Sequence, residues 1–324
     1  SYAVAGADLA PYQTGSSFNV GTVYTGTAAT INPITVPDIL NNPDIKPSFA
    51  KSFEVGIDVK FFKDRVGLEF TYYQQRNENQ IISLDVSGTS GYSSQVTNAG
   101  LIENKGIELS LNGRPVQSKI FTWNTTINFA RNRSMVKELY PGINVYQLDN
   151  NVYSSVPIFL NAAVNEPFGS LVGQAYLRDA ATGKVMLDAA NLPRFQTNYN
   201  FGSVLPKFTG GFLNTFKIWK VDLSAMIDFQ SGGQFFSWSK MLAVKSGQAE
   251  ETAVLNDKGF NVRDPVASGG GVKVNGISTA TGQEVTAYVD ARSYFRNTIG
   301  TRIYEEWLFD ASYIKLREVS LGYT

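Results

Sequence analysis

KSFEVGIDVKFFKDRVGLEFTYY, Lys51 to Tyr73, reads as two strands joined by a tight turn. On the first strand Phe53, Val55, Ile57, Val59 and Phe61 share one parity, and Glu54, Gly56, Asp58 and Lys60 share the other. On the second, Val66, Leu68, Phe70 and Tyr72 alternate with Gly67, Glu69, Thr71 and Tyr73. Side chains alternate faces along a strand, so this ribbon has one apolar wall and one wall of polar and small residues. The apolar wall either covers a soluble core or faces lipid.

The pattern repeats outward from this hairpin. Ile107, Leu109 and Leu111 alternate with Gly106, Glu108 and Ser110. Phe121, Trp123, Thr125, Ile127 and Phe129 alternate with Thr122, Asn124, Thr126 and Asn128. Phe208 to Phe216 carries a weaker stripe, Val221 to Phe229 a clean one, and Val319, Leu321 and Tyr323 close the series. The apolar-parity positions named are uncharged, and charge sits on the opposite parity at Glu54, Asp58, Lys60, Glu69, Glu108, Asp222 and Asp228. A Lys or Arg at mid-bilayer costs ~2–4 kcal/mol, so a lipid-facing wall should look like this. A β-sandwich also segregates its faces. Connection lengths discriminate better. Lys63 to Arg65, Gly113 to Lys119 and Ile218 to Lys220 are short, while Tyr73 to Gly100, Arg131 to Lys207 and Gln230 to about Leu308 are long. Strict alternation of short and long puts all turns at one end of an up-and-down sheet, which is the asymmetry of membrane barrels. Aromatics gather near the short connections (Phe61, Phe62, Phe121, Trp123, Phe216, Trp219), as in an interfacial girdle or as strand propensity alone provides. The long connections are rich in Gly, Ser, Thr and Asn and read as loops, with one helix predicted within Ser237 to Leu255.

Composition removes several function classes. Acidic and basic residues balance at 28 each, and no basic stripe with interleaved aromatics suggests nucleic acid. No apolar run suffices for a membrane-spanning helix, which leaves strand-built membrane proteins open. Cysteine and histidine are absent from the sequence, so thiol catalysis, disulfides, the usual zinc sites and Ser-His-Asp triads cannot be assembled from it. No carboxylate pair stands out as a glycosidase dyad, and no enzyme is expected. The first residues, SYAVAG, read as a strand without an initiator Met, and LREVSLGYT at the end reads as another, so a piece of a longer protein is expected.

NNPDIKPSFAKSFEVGIDVKFFKDRVGLEFTYYQQRNENQI (Asn41 to Ile81), NAGLIENKGIELSL (Asn98 to Leu111), LPKFTGGFLNTF (Leu205 to Phe216), IDFQSGGQFFS (Ile227 to Ser237) and ASYIKLREVSLGYT (Ala311 to Thr324) together resemble the SusC/RagA family of TonB-linked outer-membrane transporters. The matches are collinear over nearly the whole chain. The resemblance implies an all-β antiparallel transmembrane barrel of about 22 strands, closed by a plug. Residues 1–324 would supply about eight of them within one barrel domain, with Ser1 in strand 13. The signal sequence, TonB-contacting segment, plug, first strands and last two strands would lie outside this chain. It further implies import of an oligosaccharide, or in some members a peptide, energised through TonB, with a SusD-like lipoprotein as lid. A surface adhesin or a passive porin would also fit a wall with long loops, and upstream sequence separates the three.

The polar face, with Glu54, Asp58, Glu69, Glu108, Asp222 and Asp228, should line the lumen and bond to the plug, since buried charges need partners. Cargo contacts are expected from loop aromatics, because Trp and Tyr faces stack on sugar rings and anchor peptides. Phe235, Phe236 and Trp238, just past Gly232-Gly233, come first, with Tyr92 and Tyr153 next and Tyr140, Tyr146, Phe168 and Tyr199 behind them. Each could instead pack loops together or meet the lid. Asp149-Asn150-Asn151 offers oxygen ligands for a loop calcium, but lacks EF-hand spacing and reads as a turn. No other cofactor is expected.

Overall fold

The computed structural model describes every residue except 8–13, 16, 22, 26–29, 32, 152–157 and 324, with the backbone alone at 24, 25, 30, 31, 150 and 151. Eight strands form one antiparallel sheet in chain order: β1 (Tyr2–Ala7), β2 (Ser48–Phe61), β3 (Val66–Glu78), β4 (Leu101–Gln117), β5 (Phe121–Glu138), β6 (Phe208–Ile218), β7 (Val221–Ser231) and β8 (Tyr313–Tyr323). The sheet is an open arc with β1 and β8 at its edges.

Register carries the sequence alternation across the whole arc. One row runs Val59, Leu68, Leu111, Ile127, Phe212, Ile227 and Leu316, and its neighbour runs Ile57, Phe70, Leu109, Phe129, Gly210, Phe229 and Ile314. On the other face Asp58, Glu69, Ser110, Asn128, Gly211, Asp228 and Lys315 form the row between them. A β-bulge at Arg317 on β8 transfers the apolar parity from Ile314 and Leu316 to Val319, Leu321 and Tyr323. One extra residue flips the faces of everything beyond it, which is why the two halves of this strand show opposite parity. Gly210 is needed on its row. A Cβ there would lie 2.3 Å from the Phe229 ring and 2.6 Å from the Asn128 carbonyl oxygen.

No residue of this apolar wall is buried; Ile57 is 58% exposed and Leu321 76%. A sandwich would cover such a wall with a second sheet at about 10 Å. The buried core lies instead in the long connections, where Ile158, Leu171, Tyr176, Met241, Val244, Ile299, Ile303, Tyr304 and Trp307 pack together. The molecule is therefore dry where its loops meet and apolar on its outside, as a lipid-facing barrel wall must be.

The three short connections share one end. Phe62, Lys63 and Asp64 turn with φ of 55°, 58° and 62°. Between β4 and β5 the sequence predicts a connection over Gly113 to Lys119, but β4 continues through a bulge to Gln117 and leaves only Ser118 to Ile120. There the Ser118 hydroxyl accepts the Phe121 N–H at 2.9 Å. Trp219 and Lys220 join β6 to β7. The aromatics near these turns stack along the wall: Trp123 lies 5.9 Å and Phe121 6.3 Å from Phe216, and the Trp123 indole donates to Asn214 at 2.9 Å.

The long connections are not the plain loops the sequence suggests. Ile81–Asp85 and Ser94–Asn98 form a hairpin joined by Ile39–Leu40. Val145–Asn151, Ile158–Ala163, Ser170–Tyr176 and Phe195–Ser203 form a four-stranded antiparallel sheet. Asp149 accordingly sits on a strand, not in the expected turn. After β7 come a short strand (Gln234–Phe236) paired with Leu308–Asp310, helix α1 (Trp238–Lys245), the hairpin Val272–Ser278 with Glu284–Val289, and a π-helix, Arg292–Ile299. Helix α1 is capped by the Ser237 hydroxyl and ends well before Leu255. Gly247, at φ 75°, and the Gln248 N–H bonded back to the Ala243 carbonyl stop it. The π-helix was not anticipated.

Candidate functional site

At the loop end of the arc, β5 continues past Ala130, its last residue paired with β6. Arg131 to Ser134 there face the strand Phe195–Ser203 and the chain entering and leaving the module after β7, enclosing a cavity of about 960 Å³. Its mouth is set by Gly232 and Gly233, at φ 75° and 82°. A Cβ on Gly233 would meet the Val204 carbonyl oxygen at 2.8 Å, so the close approach requires glycine. The Gly232 N–H donates to the Ser312 hydroxyl at 2.7 Å, and the Ala311 N–H to the Gly233 carbonyl at 3.0 Å. These bonds fix the crossing of the two chain segments.

The cavity wall mixes rings with polar groups. Tyr199 and Phe201 lie 5.2 Å apart, and Phe208 and Phe309 add two more rings. Arg131, Arg133 and Lys207 supply positive charge, and Glu305 and Asp310 negative. Asp310 is held below the usual carboxylate range by hydrogen bonds from the Ser312 hydroxyl and N–H, so it stays ionised. Gln234 also lines the cavity, and its side-chain carbonyl is buried without a hydrogen-bond partner. Exposed ring faces beside charged and amide groups suit an oligomer with apolar faces and polar edges.

The predicted aromatics separate into distinct environments. Phe235 is half exposed and does not line the cavity, but stacks at 5.6 Å on Phe309, which does. Phe236 and Trp238 pack into the loop core, 4.8 Å from one another and 5.3 and 6.2 Å from the fully buried Tyr304. Tyr92 lies on the connection between β3 and β4, away from the cavity, and Tyr153 falls outside the described residues. Tyr146 ties two connections together through its hydroxyl, which donates to the Ser83 carbonyl at 3.1 Å. Tyr199 is on the cavity wall. Phe201, Phe309 and Gln234 were missed, because they join the cavity only through pairings such as Phe235 with Phe309, remote in sequence.

Glu54, Asp58, Glu69, Glu108, Asp222 and Asp228 all occupy the polar face of the sheet, and Asp58 pairs directly opposite Glu69. Glu69, Glu108 and Asp228 share a shallow depression on that face. Asp228 accepts two bonds from the Arg317 guanidinium, at 2.7 and 2.8 Å, and one from the Tyr313 hydroxyl at 3.0 Å. The β8 bulge brings Arg317 into this bidentate pair.

A family model described as TonB dependent receptor-like, beta-barrel matches residues 6–237. TonB-dependent receptor P3 of Formosa agariphila is 27% identical over 97% of this chain and 31% of its own length. TonB-dependent receptor SusC of Bacteroides thetaiotaomicron is 26% identical over 31% of this chain and 10% of its own. Among solved structures, the RagAB peptide importer in its open-open state superposes with a TM-score of 0.68 at 20% identity, covering 99% of this chain and 33% of that one. The chain thus spans about a third of the length of the relatives it matches along its whole extent.

Proposed function

The chain belongs to the TonB dependent receptor-like β-barrel family, a family of bacterial outer-membrane receptors and transporters rather than enzymes, and from that premise we propose that the whole protein imports an oligomeric nutrient, an oligosaccharide or a peptide. The single observation that carries this reading is the division of the structure into two ends. The short turns lie at one end of an uncovered apolar wall, and a folded module with its own core and a ring-lined cavity lies at the other. In outer-membrane barrels the short turns are periplasmic and the long connections extracellular. The cavity would then receive cargo from outside, with ring faces holding apolar surfaces and the amide and charged groups fixing orientation. A SusD-like lipoprotein would close over the module, and TonB, acting on parts of the protein beyond residues 1–324, would supply the energy. The polar face of the arc would line the path, its Asp228–Arg317 pair satisfied within the wall.

The test uses the full-length protein in its own outer membrane. Mild detergent extraction, purification of the particle containing this chain and peptide mass spectrometry should find a longer chain with a plug and a surface lipoprotein. Uptake of a labelled oligomer should stop when TonB is inactivated. A particle without a lipoprotein, with uptake indifferent to TonB, would contradict the proposal and favour a porin or an adhesin.

A further inference from the structure

A second hollow, of about 860 Å³, lies between the C-terminal half of α1 and the π-helix Arg292–Ile299. It shares no lining residue with the mouth cavity. Five charged side chains line it: Lys245, Arg263, Arg292, Arg296 and Asp290, four cations against one anion. Arg263 is a strut. Its Nε donates to the Thr252 carbonyl at 2.7 Å, and Nη2 to the Thr252 hydroxyl at 2.6 Å and to the Gly247 carbonyl. Asp290 accepts the Ser293 N–H at 2.8 Å, at the start of the π-helix. Lys245, Arg292 and Arg296 form no ion pair or side-chain hydrogen bond among the described residues.

Helix-end chemistry does not account for Lys245. A cation in the last turn of α1 would ordinarily complement its carbonyls. Here the Ser246 hydroxyl already donates to the Leu242 and Ala243 carbonyls, at 2.8 and 3.2 Å, and the Gly247 and Gln248 N–H groups take those of Val244 and Ala243. Converging like charges in a concave site raise its potential and favour an anion there. The π-helix brings Arg292 and Arg296 onto one side, about one turn apart, and such π-turns recur at functional sites. Guanidinium forks match carboxylate and sulfate oxygens, and Ser239, Ser246 and Gln248 on the same wall offer partners for hydroxyl groups. The volume suits a few linked rings rather than a lone ion.

We infer that this hollow binds an acidic oligosaccharide, with its carboxylate or sulfate held by Lys245, Arg292 and Arg296. The inference rests on the import reading only for the oligomer's role as cargo, and it is tested by binding alone. Purified full-length protein in detergent, without TonB, is titrated with a galacturonic-acid oligomer, a sulfated galactan oligomer, a neutral maltooligosaccharide and an oligo-glutamate. Saturable binding of an acidic sugar is expected, weakening with salt. R292Q and R296Q should each lower its affinity about tenfold or more, since each removes a charge-assisted hydrogen bond. Unchanged protease resistance of the loop module in both variants confirms that the fold survives. If neither acidic sugar binds, if binding ignores both substitutions, or if oligo-glutamate or the neutral sugar binds as tightly, the inference is overturned. Binding that behaves as expected in a protein that imports nothing would leave this site standing and refute the import reading instead.

Discussion

Replacing Tyr304 with alanine should open the loop module while the barrel wall stays folded. Tyr304 is fully buried and meets Phe236 and Trp238 edge-on, at 5.3 and 6.2 Å. A buried aromatic side chain removes about 150–250 Å² from water, which at ~25 cal/mol per Å² is an upper bound of about 4–6 kcal/mol. Truncations of this kind cost about 3–5 kcal/mol in measured series. The neighbours cannot collapse into the gap easily, because Tyr304 lies between α1 and the four-stranded loop sheet, where the Gly173 Cβ position is 3.0 Å from its ring. At ~1.4 kcal/mol per factor of ten, the opened population should rise about 10²- to 10³-fold or more. Limited proteolysis of the full-length protein in detergent reads that population directly when opening is fast relative to cleavage. Cleavage within residues 232–312 should accelerate accordingly, while the heat-modifiable gel shift of the barrel remains. F235A is the control: its ring is half exposed and loses mainly the stack on Phe309, worth about 0.5–1.5 kcal/mol. Cleavage of Y304A within twofold of the unaltered protein would refute the assignment of this cluster as the module's core.

Ile57→Arg places a cation in the middle of the apolar wall and should cost about 2–4 kcal/mol, seen as a lower yield of heat-modifiable protein, while Asp58→Asn on the opposite face should not. Gly210→Ala should also lower the folded yield, because its methyl would collide with the Phe229 ring and the Asn128 carbonyl. Burial, reinforced by Tyr294 and Glu306, raises the Tyr176 phenol well above its ordinary value. The stability this phenol contributes is fully present below the ordinary pKa of ~10 and is lost as pH climbs beyond it, so the module should become protease-sensitive in strong alkali. In a tyrosinate absorbance titration, Y176F should remove one of the late-ionising phenols and nothing from the early class.

The wall was legible because its physics is local. Parity within each strand, from Val55 to Phe61 or Phe121 to Phe129, states which side meets lipid, and register between neighbours follows from matching those stripes. The short-turn end was legible for the same reason. The loop module was not. Its core joins Ile158 and Leu171 to Met241 and Tyr304, and sequence periodicity has no access to contacts across such separations. Phe236 and Trp238 look like exposed rim aromatics from their Gly-Gly context, and only the position of Tyr304 shows them packed inward. The Arg317 bulge was hidden as well, since a single extra residue appears in sequence only as a broken alternation.

The most direct test asks whether the apolar face of the arc, odd-numbered on β2, meets lipid. Residues 1–324 contain no cysteine; with any cysteine elsewhere in the full-length protein replaced by serine, single cysteines introduced at positions 55 to 61 carry one spin label each. Collision rates with oxygen and with a water-soluble nickel complex should alternate in the reconstituted bilayer. Labels at 55, 57, 59 and 61 should favour oxygen, as in acyl chains, and labels at 56, 58 and 60 should not. Odd positions shielded from both reagents, as in a packed protein core, or rates without a two-residue period, would contradict the account.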